Sequence, residues 1–357
     1  MSAPREHSAL HAVVLAGGKG TRFWPKSRAR RPKQLLPILG ERTMLEETVA
    51  RLESLVPAER VWLVTGMGHA EEARKQLPGV PPPQILVEPV GRNTAPAIGL
   101  AAHRIARANP DATMIVLPAD HWIADVPRFR DVLARAIELA KDDLLVTIGI
   151  EPTRPETGYG YIERGEDLGR EAFRVARFIE KPDYDRAESF VSARRYFWNA
   201  GIFVWRVTAI LDAFRRHLPD MDARLCDVAR ASEEGAPVGD AYASMAAQSI
   251  DYGILERATN VAVVRGDFGW DDIGSWTALR RLASPDADGN VTRGRVVTVD
   301  SQGNLVLADQ RVVALVGVDD LVVIETADAV LVCSRERAQH VRRVVDELER
   351  RGWKDVL

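Results

Sequence analysis

The chain reads as an α/β protein: a sheet with helices on both faces, followed by a small C-terminal β-helix-like domain. Three observations predict this. Through the first half, short apolar runs alternate with stretches of helical periodicity, the pattern of a mostly parallel sheet with crossover helices. At Ser-Pro-Asp-Ala-Asp-Gly-Asn, from Ser284, turn formers crowd together and mark a linker. Beyond it, short β-branched runs recur about every eight to ten residues, with turn residues between them. The expected division is residues 1–283, a linker at 284–294, and a β-rich domain at 295–357 with a terminal helix.

Each element has its own signal. His11 to Leu15 is an apolar strand that enters a glycine-rich turn. Thr43 to Leu55 carries Met44, Leu45, Thr48, Val49 and Leu52 at helical spacing. Val61–Thr65, Gln84–Val87, Met114–Leu117 and Leu144–Ile150 read as strands, with helices at Ala95–Ala108 and Phe129–Ala140. In sheets of this kind ligands bind outside the carboxyl ends of the strands. From about Tyr159 the alternation loosens. Tyr159–Glu163, Phe173–Ile179 and Gly201–Trp205 read as strands around a helix near Tyr184–Ala193. Helices at 207–217 and 240–248 and a strand at Val261–Val264 follow. The tail runs fall at 295–299, 304–308, 312–316, 321–325 and 329–332, closed by a charged helix from Arg335 to Arg350. They show no strict repeat.

Composition narrows the function classes. A chain of 357 residues buries a sizeable core without staples. Lys plus Arg is 48 against 51 Asp plus Glu, a net charge of −3, which argues against a dedicated nucleic-acid binder. The two cysteines, Cys226 and Cys333, exclude a disulfide framework and a Cys-rich zinc site, and suit a reducing compartment. No signal-peptide core precedes Leu10, and no apolar stretch reaches ~20 residues. The expectation is a cytoplasmic protein with no membrane partner.

The turn Leu15-Ala16-Gly17-Gly18-Lys19-Gly20-Thr21-Arg22 lets backbone approach a ligand closely, while Lys19 and Arg22 bring positive charge. It is not a Walker A loop, because Gly20 follows Lys19. It is not a dinucleotide fingerprint either, because Phe23 stands where a third small residue belongs. Pro25, Lys26, Arg28, Arg30, Arg31, Pro32 and Lys33 then form a basic cluster, which suits a polyanionic ligand or a solvated charge run.

These residues, with Pro32-Lys33-Gln34-Leu35-Leu36-Pro37, resemble the signature of the sugar-1-phosphate nucleotidylyltransferases. The resemblance implies a Rossmann-like nucleotidyltransferase sheet, with Leu15, Ala16, Gly17, Gly18, Gly20, Thr21, Arg22 and Lys33 around the nucleotide phosphates. Glu88-Pro89-Val90-Gly91-Arg92-Asn93-Thr94-Ala95-Pro96 reads on its own as a strand exit and a capped helix start. It is similar to the base-binding loop of the mannose-1-phosphate guanylyltransferases, which implies nucleotide contacts from Glu88, Arg92, Asn93 and Thr94.

Leu117-Pro118-Ala119-Asp120-His121 ends a strand, and its Asp alone would be an ordinary turn residue. The resemblance gives Asp120 a metal role and leaves His121 structural. Gly158-Tyr159-Gly160, Glu180-Lys181-Pro182 and Trp198-Asn199-Ala200-Gly201 are similar to the family's sugar-binding strings. They imply sugar-phosphate contacts from Gly158, Tyr159, Glu180, Lys181 and Asn199. In Gly269-Trp270-Asp271-Asp272-Ile273-Gly274 either acid could cap the helix that follows; the resemblance, through the spacing to Gly274, implies that Asp272 is the family's second metal-binding Asp.

The expected catalytic set is therefore Arg22, Lys33, Asp120 and Asp272. Its expected cofactor is Mg²⁺ on Asp120 and Asp272, and its reaction GTP plus mannose 1-phosphate giving GDP-mannose and pyrophosphate. The alternatives are guanylyl transfer to another hexose or heptose 1-phosphate, or a catalytically silent nucleotide-sugar-binding regulatory homologue, which would show gaps in the acidic or the Arg–Lys set. Some relatives carry a fused cupin-type isomerase; the length past about residue 284 suggests no room for one here. The apolar tail suggests a homodimer.

Overall fold

The computed structural model describes residues 10–18 and 20–357. Eight strands and one return strand make the main sheet. In chain order its parallel half comprises β1 (Leu10–Ala16), β2 (Val61–Gly66), β3 (Ile85–Glu88) and β4 (Thr113–Pro118). Strand β5 (Trp122–Ile123) is a short separate piece. The other half comprises β6 (Leu145–Ile150), β7 (Gly160–Gly169), β8 (Ala172–Glu180), β9 (Tyr196–Arg206) and β10 (Val261–Gly266). The spatial order is β3-β2-β1-β4-β9-β6-β10-β8-β7. From β3 to β4 the pairing is parallel, as expected. Beyond β4 it is mixed. β9 runs antiparallel to β4 and β6, and the β7–β8 hairpin is antiparallel to its neighbours, so the sheet is less parallel than the early alternation implies.

Helices α1 (Met44–Ala50), α2 (Ala70–Gln76), α3 (Thr94–Ala108), α4 (Val126–Ala140) and α5 (Tyr184–Ala193) are followed by α6 (Val207–His217) and α7 (Pro219–Glu233). Alternate β1 residues face opposite ways. Val13 joins a core built with Ile98, Ile105, Ile210, Phe214 and Leu225, whereas Ala12 and Val14 join one built with Leu45, Leu52, Phe129 and Leu133. Gly99 explains how α7 reaches this layer: a Cβ there would stand 2.4 Å from Leu225 Cδ1. The helix expected at 240–248 is only α8 (Gly239–Ala243), and a π-helical turn, Asp251–Leu255, follows it.

After β11 (Trp270–Asp271), which pairs with β5, comes α9 (Trp276–Leu282). The tail begins at β12 (Val291–Arg293), within the stretch expected as linker, and continues with β13 (Val296–Val299), β14 (Leu305–Ala308), β15 (Val313–Val316), β16 (Leu321–Glu325) and β17 (Val330–Ser334). Strands alternate between two small sheets, β12-β14-β16-β17 and β13-β15, in the manner of a short β-helix. Buried Asn290 and Asn304 stack inside it, with Asn304 Nδ2 donating to Asn290 Oδ1 at 3.0 Å and to the Val318 carbonyl at 3.0 Å. Helix α10 (Val341–Arg351) closes the domain.

The tail does not hang free. Val291, Leu305, Ile324, Leu331 and Val345 share one apolar core with Phe23, Trp24, Ile273 and Trp276. Among the described residues no helix is long and apolar enough to cross a membrane.

Candidate active site

β1 ends at Ala16, and the glycine turn follows; Lys19 lies outside the described residues. Gly20 has a φ of 61°, and a Cβ there would lie 2.7 Å from both N and Cβ of Lys33. Only glycine lets the turn pack onto the Lys33 segment. Buried Gln34 holds the turn from behind, its amide donating to the Ala16 and Gly18 carbonyls at 2.9 Å each. The Ala119 N–H donates to the Leu15 carbonyl at 2.9 Å, which brings Asp120 beside the turn. Thr21 and Arg22 begin a 3₁₀ turn that ends at buried Phe23.

Lys33 is the hub. Its buried ammonium donates to the Asp120 carboxylate at 3.0 Å, the Asp120 carbonyl at 2.9 Å and the Asp272 carbonyl at 2.7 Å. These engage all three of its donors. Two acids 152 positions apart in sequence, expected to share one Mg²⁺, thus both lie against the Lys33 ammonium, Asp272 through its backbone carbonyl. Burial would raise the Asp120 carboxyl, but Lys33 and His121 outweigh it and hold it below the usual range. Burial pulls the His121 imidazole below its ordinary value, against the opposite pull of Asp120 and Asp272, and its Nδ1 accepts from Trp270 Nε1 at 3.1 Å.

The two adjacent acids of the second motif divide the labour. Asp271 fastens the turn: one oxygen accepts from the Ile273 N–H at 2.8 Å and the other pairs with Arg281 at 2.8 Å. Buried Ile273 has a φ of 44°, a strained setting for a β-branched residue. That setting leaves Asp272 free to face the site. A Cβ at Gly274 would lie 3.2 Å from Asp272 Oδ2 and 3.6 Å from Arg22 Nη1, so this glycine leaves open the space that the two groups flank.

Tyr159 links the two ends of the site. Its hydroxyl donates to Asp272 Oδ1 at 2.6 Å, and its ring meets Trp198 and Trp270 edge-on. Burial, and then the Asp272 charge, push its phenol above the ordinary range. The Tyr159 carbonyl accepts from the Lys181 N–H at 3.1 Å. Glu180, opposite Gly160 across the β7–β8 ladder, pairs with Lys181 at 2.9 Å. A Cβ on Gly160 would stand 2.5 Å from Glu180 Oε2, so the carboxylate occupies the space this glycine vacates. Burial pulls the Lys181 ammonium down, but Glu180 beside it holds it above its usual value. Gly158 sits in the turn before β7, its N–H donating to Glu156 at 3.2 Å.

Asn199 on β9 has protein partners. Its Oδ1 accepts from Thr147 Oγ1 at 2.8 Å and the Gly201 N–H at 3.2 Å, and its Nδ2 donates to Asp251 at 2.9 Å. Beside the glycine turn, buried Glu88 accepts from the Tyr242 hydroxyl at 2.7 Å and lies within 3.4 Å of a Cβ position on Gly17. Burial raises its carboxyl. Arg92 donates to the Ala243 carbonyl, and Thr94 Oγ1 accepts from the Ile250 N–H at 2.9 Å. Asn93 caps α3 through the Thr94 N–H. Arg92 and Thr94 therefore moor this loop to 242–250, and Asn93 lies at its rim.

Sequence reasoning missed Gln34, Tyr242 and Asp251 as parts of this site. Gln34 was visible inside the Pro-Lys-Gln string; Tyr242 and Asp251 carry no local signal. The basic cluster splits. Lys26 pairs with Asp309 at 2.6 Å and Arg28 with Asp328 at 2.6 Å, so these two charges face the tail. Arg28 also donates to the Val356 carbonyl at 3.0 Å, as does Trp24 at 2.8 Å. Arg22 Nη1 donates to Gln339 Oε1 of the tail at 3.2 Å.

The donor set suits a hard cation. Among the described residues, Asp120 Oδ1 and Asp272 Oδ2 are not engaged by another side chain, and Mg²⁺ takes one or two carboxylates plus substrate phosphates and water. No group of three His, Cys, Asp or Glu that could hold a metal occurs among the described residues, so further ligands would come from substrate or solvent.

A glycine turn beside an acidic pair gathered by a lysine suits a transferase acting on phosphates. The chain belongs to the nucleotidyl transferase family: that family's model matches residues 11–289, and the model of the MannoseP isomerase/GMP-like β-helix domain matches 294–348. Its relatives there include proteins named mannose-1-phosphate guanylyltransferase. The Escherichia coli K12 protein of that name is 40% identical over 97% of this chain and 74% of its own length. The Pseudomonas aeruginosa alginate biosynthesis protein AlgA is 38% identical over 95% of this chain and 72% of its own. A crystal structure from Thermus thermophilus, described as a mannose-1-phosphate geranyltransferase, superposes with a TM-score of 0.87 at 41% identity, covering 95% of this chain and 99% of that one.

Proposed function

We propose that the protein transfers GMP from GTP to mannose 1-phosphate, releasing pyrophosphate and forming GDP-mannose. The observation that carries this reading is the gathering of Asp120 and Asp272 by Lys33 at the mouth of the glycine turn, with Tyr159 joining Asp272 to the Glu180–Lys181 end. A phosphate oxygen of the sugar phosphate bonds to the α-phosphorus as the bond to the pyrophosphate oxygen breaks, and the electron pair leaves with pyrophosphate. The attacking group is already an anion, so no covalent enzyme intermediate is required; the protein contributes positioning and charge neutralisation.

In this scheme Arg22 faces the leaving pyrophosphate. Lys181 offsets charge where the two anions meet, and Glu180 accepts sugar hydroxyls. Lys33 orders the two acids, and Tyr159 orients Asp272 through its hydroxyl. Enzymes of this family generally use a divalent metal. Asp120 and Asp272 would hold Mg²⁺, which when bound supplies charge neutralisation at the reacting phosphate.

The test is purified protein with GTP, Mg²⁺ and mannose 1-phosphate, assayed for pyrophosphate release against a panel of hexose and heptose 1-phosphates. The reading expects mannose 1-phosphate to give the highest kcat/KM. Preference for another sugar phosphate would replace the substrate, and silence toward all of them with retained GDP-mannose binding would replace the enzyme with a sensor.

A further inference from the structure

We propose that Asp251 is a second sugar-binding carboxylate, which accepts hexose hydroxyls alongside Glu180 and does so through an orientation set by Asn199. The proposal rests on the sugar-phosphate reading of this end of the site.

Placement comes first. Asp251 opens the π-helical turn Asp251–Leu255, a backbone form that is rare and concentrates at functional sites. The turn is docked on the end of β8: Glu256 accepts from the Glu180 N–H at 3.1 Å, and the Tyr252 hydroxyl donates to the Glu180 carbonyl at 3.4 Å. Asp251 is therefore delivered to the same strand end as Glu180 and Lys181.

Orientation comes second. Thr147 and the Gly201 N–H fix the Asn199 carbonyl oxygen, so its amide nitrogen points one way, to Asp251 Oδ1 at 2.9 Å. A chain of hydrogen bonds thus runs from the middle of the sheet to one carboxylate oxygen. Among the described residues, the other oxygen is not engaged by another side chain. Because the Asn199 carbonyl is already occupied, the sugar contact expected of Asn199 falls to the acid that it holds.

Charge comes third. Among the described residues Asp251 has no ion-pair partner, since the Lys181 ammonium sits on Glu180 at 2.9 Å. Burial, and then the Glu180 charge, push its carboxyl up to about 7, while Lys181 and Asn199 pull the other way. Tyr252 and Glu256 complete the polar groups from its own segment. A half-buried carboxylate beside a second carboxylate weakens the fold unless donors arrive from a ligand. A polyhydroxyl ring is a ligand that brings neutral donors to two neighbouring acids.

The experiment is Asp251→Asn in the full chain, read by calorimetric titration with GDP-mannose and with GDP. Loss of a charged acceptor should weaken GDP-mannose about 10- to 100-fold while GDP changes by less than about threefold. Thr147→Val, which frees Asn199, should weaken GDP-mannose selectively but less. A raised folded-state value means that the charged form is disfavoured in the fold, so stability falls as pH rises from about 4 to about 7. Asp251→Asn should therefore melt no lower than wild type at pH 8, with its advantage fading toward pH 5.

Equal loss for both ligands, no loss, or a lower melting temperature at pH 8 with unchanged binding would overturn the proposal and make Asp251 structural. The reading of the reaction can fail separately. If the panel assay favours another sugar phosphate, the same split between nucleotide sugar and nucleotide is measured with that sugar's GDP derivative.

Discussion

The end of the site proposed for the nucleotide and the end proposed for the sugar are assembled by opposite strategies. At the nucleotide end, side chains mostly serve the backbone: Gln34 holds two carbonyls of the turn, Arg92 and Thr94 moor a loop, and Asn93 caps a helix. Among the described residues, what they leave for the triphosphate proposed to bind there is main chain and Arg22. At the sugar end, side chains serve one another across four segments: Glu180 with Lys181, Thr147 with Asn199, Asn199 with Asp251. A phosphate is large, anionic and much the same in every nucleotide, so a glycine turn suffices. A hexose is told apart by where its hydroxyls lie, and that needs individually aimed acceptors.

The seam between the two ends gives the largest test. Asp272 touches both, through Gly274 beside Arg22 and through Tyr159. Asp272→Ala should lower kcat about 10²- to 10³-fold, measured by pyrophosphate release. Near-normal turnover would remove Asp272 from the reaction.

Glu180→Gln should raise KM for the sugar phosphate about tenfold or more and leave KM for GTP within about threefold. Parallel shifts in both would erase the distinction between the ends.

Within the glycine turn, Gly20→Ala should cost about 1–3 kcal/mol of stability, because φ is 61° and Lys33 backbone fills the space. Gly18→Ala, with no atom within 4 Å of its Cβ position, should melt within a few degrees of wild type. Smallest of all, Lys26→Ala with Arg28→Ala should cost about 1 kcal/mol, since both pairs are part-exposed, and leave KM for GTP unchanged. A weakened KM for GTP would return these charges to the polyanion site.

The same contrast explains what the sequence made legible. The nucleotide end is written in contiguous strings, because a strand, its turn and the next helix are neighbours in the chain; Gly17 to Arg22 and Arg92 to Thr94 could be read directly. The early strands were readable because a strand buried on both faces is a continuous apolar run. The antiparallel insertion of β9 was not, since pairing direction leaves no mark on an apolar run. Nor was α7, whose charged face, more acidic than basic, hides a narrow apolar stripe of Met221, Leu225 and Val228. Asp251 escaped for a related reason: its meaning lies in Asn199, 52 positions away. Lys26 and Arg28 looked like ligand-binding charges because their partners, Asp309 and Asp328, are about 300 positions downstream.

The contacts of Trp24 and Arg28 with the Val356 carbonyl, and of Arg22 with Gln339, also impose an order of events during synthesis. The ribosome makes the glycine turn more than 300 residues before its clamp. At about 5–20 residues per second, the turn waits tens of seconds with the apolar faces of Phe23 and Trp24 uncovered. The segment that follows the glycine turn cannot be finished until residue 356 has cleared the exit tunnel. Until then this protein has a sheet but no completed turn at its edge.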